Sequence, residues 1–423
     1  MNYLNMTKRE LELEYSKLNQ DYKNYKNKNL KLDMSRGKPS SEQLDLSNNI
    51  LRQEILNYNI DNLDIRNYGC LTGLESVKKL FSEVFETDTQ NMLIGGNSSL
   101  NLMHDIIANS MLFSSSESKD CKPWKDYKKI KFLCPVPGYD RHFSICEKFG
   151  IEMINIKINS HGPDINKIEK LVSEDESIKG IWCVPKYSNP TGITYSDEIV
   201  RRLANLNPKA KDFKIFWDNA YAIHDIFDNP DKLLDIFEEA KKNNKQDMIY
   251  IFYSTSKITF PGSGISFLVA SDNNLSRIKN WLAPQTIGFD KINQLRHLLF
   301  FKNSENIKNH MKKHAKILAN KFLMVDQILT KNLSGTNLAT WSKPAGGYFI
   351  SLDTLDNCAK KVVNLCNEAG VIFTPAGSTF PYGNDPDDKN IRIAPTYPSI
   401  DELFTSIDLL CLCIKIISIE KLI

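Results

Sequence analysis

From about residue 90 the chain alternates short, almost wholly apolar runs with turns rich in Gly, Pro, Ser or Asn, each turn followed by a helical period. The runs are 130–134, 151–156, 180–184, 214–217, 248–253 and 265–270. A strand wet on one face alternates apolar with polar residues, and these do not, so both faces must be covered. Helical stretches at 97–112, 141–149, 165–172 and 195–205 have the length of crossover connections. The pattern predicts an α/β fold with a buried, mostly parallel sheet, whose ligands collect at the carboxyl ends of the strands.

The pattern pauses at a basic helical stretch, 303–330, and restarts with 338–341, 347–352, a helix over 355–369 and a strand at 390–394, a second and smaller α/β unit. Residues 7–28 predict a polar helix that docks onto the body or a partner subunit. The apolar stretch 403–419 is broken by Asp408 and Lys415, so it reads as a packed terminal helix and not as a membrane span. With 54 Lys+Arg against 51 Asp+Glu, the formal charge of +3 gives no field for nucleic-acid binding. Nine scattered cysteines and an N-terminus without an apolar leader predict a reduced, cytoplasmic protein. His310 and His314 lie one helical turn apart among Lys308, Lys312, Lys313 and Lys316, which predicts a solvated basic face without a metal.

Four segments carry chemistry. Residues 250–257, Tyr-Ile-Phe-Tyr-Ser-Thr-Ser-Lys, end a strand on Lys257, placed to form a Schiff base; alone it would be a surface lysine. Residues 185–192 put Asn189 in an Asn-Pro-Thr-Gly turn after a strand, and residues 214–221 put Asp218 at a strand end with Tyr221 three residues on. A carboxylate there calls for a cationic partner. Gly96, Asn97, Ser98 and Ser99 open a helix, leaving backbone N–H groups free for an anion such as phosphate. The cofactor that uses all of them is pyridoxal 5'-phosphate. Its ring nitrogen must stay protonated to accept electrons, which Asp218 enforces, while Asn189 and Tyr221 donate to the ring O3′. Lys257 holds the aldehyde and then moves the substrate proton.

Together these segments resemble the fold-type I, class I aminotransferases over roughly residues 30–415. The intervals of 29 residues from Asn189 to Asp218 and 39 from Asp218 to Lys257 suit βαβ-sized units. It implies a large cofactor domain over 50–300 with a mostly parallel seven-stranded sheet. It also implies a small domain over 301–423, packed with an N-terminal helix and segment, 1–49. Ser254, in Ser-x-x-Lys, joins the cofactor residues. Arg392, in Asn-Ile-Arg-Ile-Ala-Pro, takes the substrate α-carboxylate, with Asn189 and Gly37 on the substrate side; Tyr139 stacks on the ring; Tyr68 reaches the neighbour's phosphate in a homodimer with shared sites. The Gly-Gly-Tyr at 346–348 positions the substrate side, and 374–380 closes over it.

The segment Ser-Arg-Gly-Lys-Pro, 35–39, looks most like a divergent aspartate aminotransferase branch, implying ping-pong exchange of L-aspartate and 2-oxoglutarate for oxaloacetate and L-glutamate. Another amino acid (alanine or an aromatic one) or a β-lyase reaction would keep the same cofactor residues. A pyridoxal-binding transcription regulator would need a DNA-binding module for which residues before 50 leave no room. One departure stands out: the family's phosphate-pairing arginine, eight residues after the lysine, is Ile265 here. Ser98, Ser99, Ser254, the partner's Tyr68 and Lys38 are the candidates to replace it, and Arg36 is the candidate reader of a distal carboxylate.

Overall fold

The computed structural model describes residues 2–114 and 121–423. Its central sheet has eight strands in the spatial order Met92–Ile94, Ser266–Ala270, Ile249–Ser254, Lys214–Asp218, Ile178–Cys183, Lys131–Val136, Glu152–Asn159 and Gly162–Pro163. The five from Ile249–Ser254 to Glu152–Asn159 run parallel. Ser266–Ala270 lies antiparallel to both its neighbours, and Gly162–Pro163 folds back antiparallel on the far edge. All six apolar runs are strands of this sheet. The count is eight and not the expected seven, because the sheet includes the two-residue return Gly162–Pro163.

The apolar runs are continuous because each strand feeds two cores. Along Lys214–Asp218, Ile215 and Trp217 join the core on one face and Phe216 the core on the other. Ile251 and Tyr253 likewise oppose Tyr250 and Phe252 on the neighbouring strand. Full burial of one such side chain is worth about 1.5–3 kcal/mol, which a polar residue at alternate positions would forfeit. Two of the crossover helices show how a capping side chain sets the start. Ser98 accepts from Leu100 N, so one helix is Ser99–Leu112, and Ser196 accepts from Ile199 N, so another is Asp197–Ala204. The sequence placed each start two residues earlier because the cap itself is polar and small.

A second core gathers the chain's two ends. The helix Lys8–Lys26 lies on Ile400–Leu422, with Leu11, Leu18 and Tyr22 in the same cluster as Leu403, Leu410 and Ile414. Leu32–Met34 pairs in parallel with Val371–Phe373, and Ala339–Trp341, Ile350–Thr354 and Asn390–Ile393 form an antiparallel sheet. The long helix Ser304–Leu333 serves both units: Ile307 and Met311 pack with the large sheet, Leu318 to Leu333 with the second core. On that helix the expectation of a solvated histidine pair fails. Lys308, Lys312, Lys313 and Lys316 are exposed, but His310 and His314 are buried. The i, i+4 spacing puts both rings on the helix's inner face, away from the lysines. Among the described residues no helix is long and apolar enough to cross a membrane.

Candidate active site

A cavity of about 240 Å³ opens at the carboxyl ends of the parallel strands. Asp218 is the last residue of its strand and is buried; its Oδ2 sits 3.0 Å from His142 Nε2. The residue lines the cavity, and its Oδ1 is also buried and has no hydrogen-bond partner. A buried carboxylate oxygen in that condition costs free energy until a donor arrives. His142 is in turn held by stacking on Trp182, with ring centroids 4.4 Å apart and planes 10° from parallel. The sequence reading assigned His142 no role, since its partner lies 76 residues further along the chain.

Lys257 follows the strand Ile249–Ser254, with Nζ 4.9 Å from the Tyr221 ring centre and 5.9 Å from that of Tyr348. Burial disfavours its ammonium form and lowers its pKa, while Asp218 offsets part of the shift. The amine is therefore closer to its nucleophilic, neutral form near pH 7 than a surface lysine. The lysine's own backbone is fastened from behind. Tyr348 Oη donates to Lys257 O at 3.5 Å, and His310 and His314 Nε2 lie 2.8 and 3.1 Å from Ile258 O. Gln43 ties the second core to this group, donating to Tyr348 Oη at 3.0 Å with His314 Nδ1 3.2 Å away. On the other side His297 Nε2 is 3.0 Å from Thr259 Oγ1. Burial pushes the His314 pKa down to about 3 and that of His297 to about 4, so both rings are neutral at physiological pH. None of Gln43, His297, His310 or His314 was singled out from sequence as part of the site.

The cavity walls are Tyr139, Tyr221 and Asn189, with Gly37 and Phe349 opposite. Burial pushes the Tyr139 phenol up to about 12, and Tyr221 is raised by the same cause, so both remain hydrogen-bond donors. Gly37 is required by its neighbour: a Cβ there would come within 2.3 Å of the Phe349 ring. Asn189 Oδ1 accepts from Arg392 Nη1 at 3.5 Å, and Arg392 also meets Asp140 Oδ1 at 3.1 Å and Thr374 Oγ1 at 3.3 Å. Arg392 Nε is buried without a partner. A guanidinium with a spare buried N–H suits a further anionic acceptor.

Four hydroxyls line one end of the cavity, those of Ser98, Ser99, Ser254 and Ser256. Ser256 was not among the expected residues, although it directly precedes the lysine; its Oγ is 2.6 Å from Ser254 Oγ. Gly96 and Asn97 stand behind the cradle and do not line it. Gly96 O accepts from Ser266 N at 2.8 Å, prolonging the sheet, and Asn97 Nδ2 donates to Pro261 O at 3.5 Å. Four further expected residues do not line the cavity: Arg392 meets it only through Asn189, Arg36 is exposed, Lys38 Nζ rests 3.8 Å from the Tyr397 ring centre, and Tyr68 is 78% exposed. Among the described residues no group of three or more His, Cys, Asp or Glu side chains is arranged to hold a metal. A carboxylate, an amine, phenols, an amide and a hydroxyl cradle around one slot suit a flat heteroaromatic ring with an anionic tail.

The sequence matches the family model described as aspartate amino-transferase across residues 6–423. An aspartate aminotransferase of Corynebacterium glutamicum is 41% identical over 397 residues, 93% of this chain and 91% of that protein. A crystal structure of an aspartate transaminase from the same organism superposes with a TM-score of 0.97 at 38% identity, covering 100% of both chains. The α-aminoadipate aminotransferase LysN of Thermus thermophilus, 17% identical with a TM-score of 0.73 over 93% of each chain, shares the fold.

Proposed function

The chain belongs to the aspartate amino-transferase family and is an aminotransferase; we propose that it uses pyridoxal 5'-phosphate to exchange the amino group of L-aspartate with 2-oxoglutarate. The observation that carries the cofactor reading is the unpartnered, buried Asp218 Oδ1 in a cavity that also presents Lys257. That oxygen lacks an N–H donor of the kind a pyridinium supplies. When bound, the cofactor provides the carbonyl that takes up amino groups and a ring that accepts electrons.

In this proposal the residues divide the work. Asp218, oriented by His142, keeps the ring nitrogen protonated. Asn189 and Tyr221 donate to O3′, Tyr139 covers a ring face, and the serine cradle receives the phosphate. Lys257 Nζ anchors the cofactor and afterwards carries the proton from the substrate Cα. Arg392, held by Asp140, Thr374 and Asn189, receives the α-carboxylate, with Gly37 leaving room beside it. The segment 374–380 reaches the site through Thr379 O, which accepts from Gly138 N at 2.7 Å, and closes the substrate side. Asp218 and Lys257 belong to the large domain, Arg392 to the small one, so their closure would expel water from between them.

The name of the Corynebacterium glutamicum relative supports aspartate. Against it stands the exposed position of Arg36, which favours as second reading a substrate without a distal carboxylate, such as alanine or an aromatic amino acid. Arg36→Met separates the two. If Arg36 swings onto a distal carboxylate, KM for aspartate and glutamate rises about 10- to 100-fold while alanine is unaffected, as for loss of one charged hydrogen bond. Equal effects on all three remove Arg36 from the pocket.

We further propose a cytoplasmic homodimer with shared sites. Tyr68, Leu51, Leu56 and Ile287 are all more than half exposed in the single chain, and a second copy would cover them. The nine free cysteines support a reducing compartment. Co-expressing Tyr68→Ala with Lys257→Ala should restore one working site per mixed dimer, which has an intact lysine facing the other subunit's intact tyrosine. No recovery above either variant alone would show that Tyr68 does not act in the neighbour's site.

A further inference from the structure

We propose that the phosphate end of the cavity is a cradle without a cation of its own, in which Ser256 acts beside Ser98, Ser99 and Ser254 as a donor and the bound phosphate keeps exchanging its second proton near neutral pH. This rests on the pyridoxal phosphate reading above and concerns how this chain departs from its family.

Ile265 occupies the position of the expected arginine and is locked where it is. It is buried in the core with Phe267 and Val269, and its N donates to Thr255 Oγ1 at 2.8 Å. Lys38 is committed to Tyr397 and Arg36 is exposed. Among the residues lining the cavity Lys257 is the one cation, and it is spent on the opposite task of holding the cofactor's carbonyl carbon. What remains is hydroxyls and backbone. Ser98 Oγ accepts from Leu100 N at 3.3 Å, which leaves its own O–H free to donate outward at the start of Ser99–Leu112. Ser254 and Ser256 share a hydrogen across 2.6 Å, and Ser256 Oγ donates to Asn97 O at 3.3 Å, a long bond whose hydrogen can turn onto an arriving anion. The pair therefore offers both donors and acceptors, which a protonated phosphate oxygen can use and a guanidinium could not.

A guanidinium against phosphate would favour the dianion and pull the second pKa, about 6 in a free phosphomonoester, down by about 1–3 units. Neutral donors and a helix N-terminus, equivalent to about half a charge, compensate burial only in part. The other titratable groups on the cavity are Asp218, Lys257, Tyr139 and Tyr221, joined in the proposed dimer by the partner's Tyr68. His104 and Asp105, on the adjoining helix, do not line it, nor does Lys291, whose Nζ donates to Gly69 O at 3.0 Å. Among the described residues Lys257 is the one cation lining the cavity, so this chain presents no second one to fix the phosphate's charge.

Phosphorus NMR of the cofactor-loaded protein tests this. From about pH 5 to about pH 9 the bound resonance should move through a midpoint between about 5 and 7. A resonance fixed at the dianion position throughout overturns the cation-free cradle. The absence of any bound resonance would instead overturn the cofactor reading, and this inference with it. In a second arm, Ser256→Ala should weaken binding of pyridoxal phosphate to the cofactor-free protein about 10- to 100-fold, as for one hydrogen bond to a charged group. Unchanged affinity removes Ser256 from the cradle.

Discussion

Lys257→Ala is expected to abolish transamination, lowering kcat by at least about 10⁴-fold, the upper range for a positioned proton-transfer group, because anchor and proton carrier are lost together. The fold should survive. Lys257 Nζ makes its approaches to the rings of Tyr221 and Tyr348, while the segment is held by its backbone carbonyls and by Thr255 and Thr259. Removing a buried amine whose charged form is already disfavoured relieves desolvation rather than adding to it. Steady-state assays with circular dichroism as the folding control decide the matter. A folded variant with substantial turnover would require another residue to move the proton.

Asp218→Asn should be almost as damaging, about 10²- to 10⁴-fold in kcat. The estimate follows from the about 3–5 kcal/mol lost when one member of a buried charged pair is removed, at 1.36 kcal/mol per tenfold in rate. The amide keeps the shape of the side chain and the neighbourhood of His142, so the loss isolates charge from packing. Substrate KM values should change far less than kcat if, as proposed, Asp218 acts on the ring and Arg392 receives the substrate. If kcat holds and only KM rises, Asp218 is not the partner of the ring nitrogen.

How much of this was legible in the sequence depends on whether the relevant signal was local. The strands announced themselves because residues such as Ile215, Phe216 and Trp217 serve cores on both faces, which removes polar alternation. The eighth strand, Gly162–Pro163, has no such signal: two residues at an edge carry no period. Lys257, Asp218, Tyr221 and Asn189 were legible because each ends a strand or opens a turn, and all four line one cavity. His142 was not, since its meaning lies in a contact with Asp218 across two strands. His310 and His314 were misread for a related reason. Lysines surround them in sequence, and only packing against the 255–259 segment shows that the helix turns its histidines inward. Ser256 lay inside a segment already singled out, but nothing in the order Ser-Thr-Ser-Lys says which hydroxyls face the cavity.

The fastening of the lysine segment also explains why the two units of the fold matter to one site. Gln43 and His314 stand on elements that pack with the second core, and they reach the Lys257 backbone through Tyr348 and Ile258. Arg392 comes from the antiparallel sheet of that same unit. The carboxylate proposed for the ring and the arginine proposed for the substrate therefore stand on elements of different cores.

The most direct test of the account is the visible absorption spectrum of the purified protein, loaded with pyridoxal phosphate, before and after L-aspartate and then after 2-oxoglutarate. The account predicts a yellow protein that aspartate bleaches and 2-oxoglutarate restores, which is both half-reactions in one cuvette. A yellow protein that ignores aspartate but is bleached by alanine would contradict the substrate. A protein that takes up no cofactor would contradict the roles given to Asp218 and Lys257.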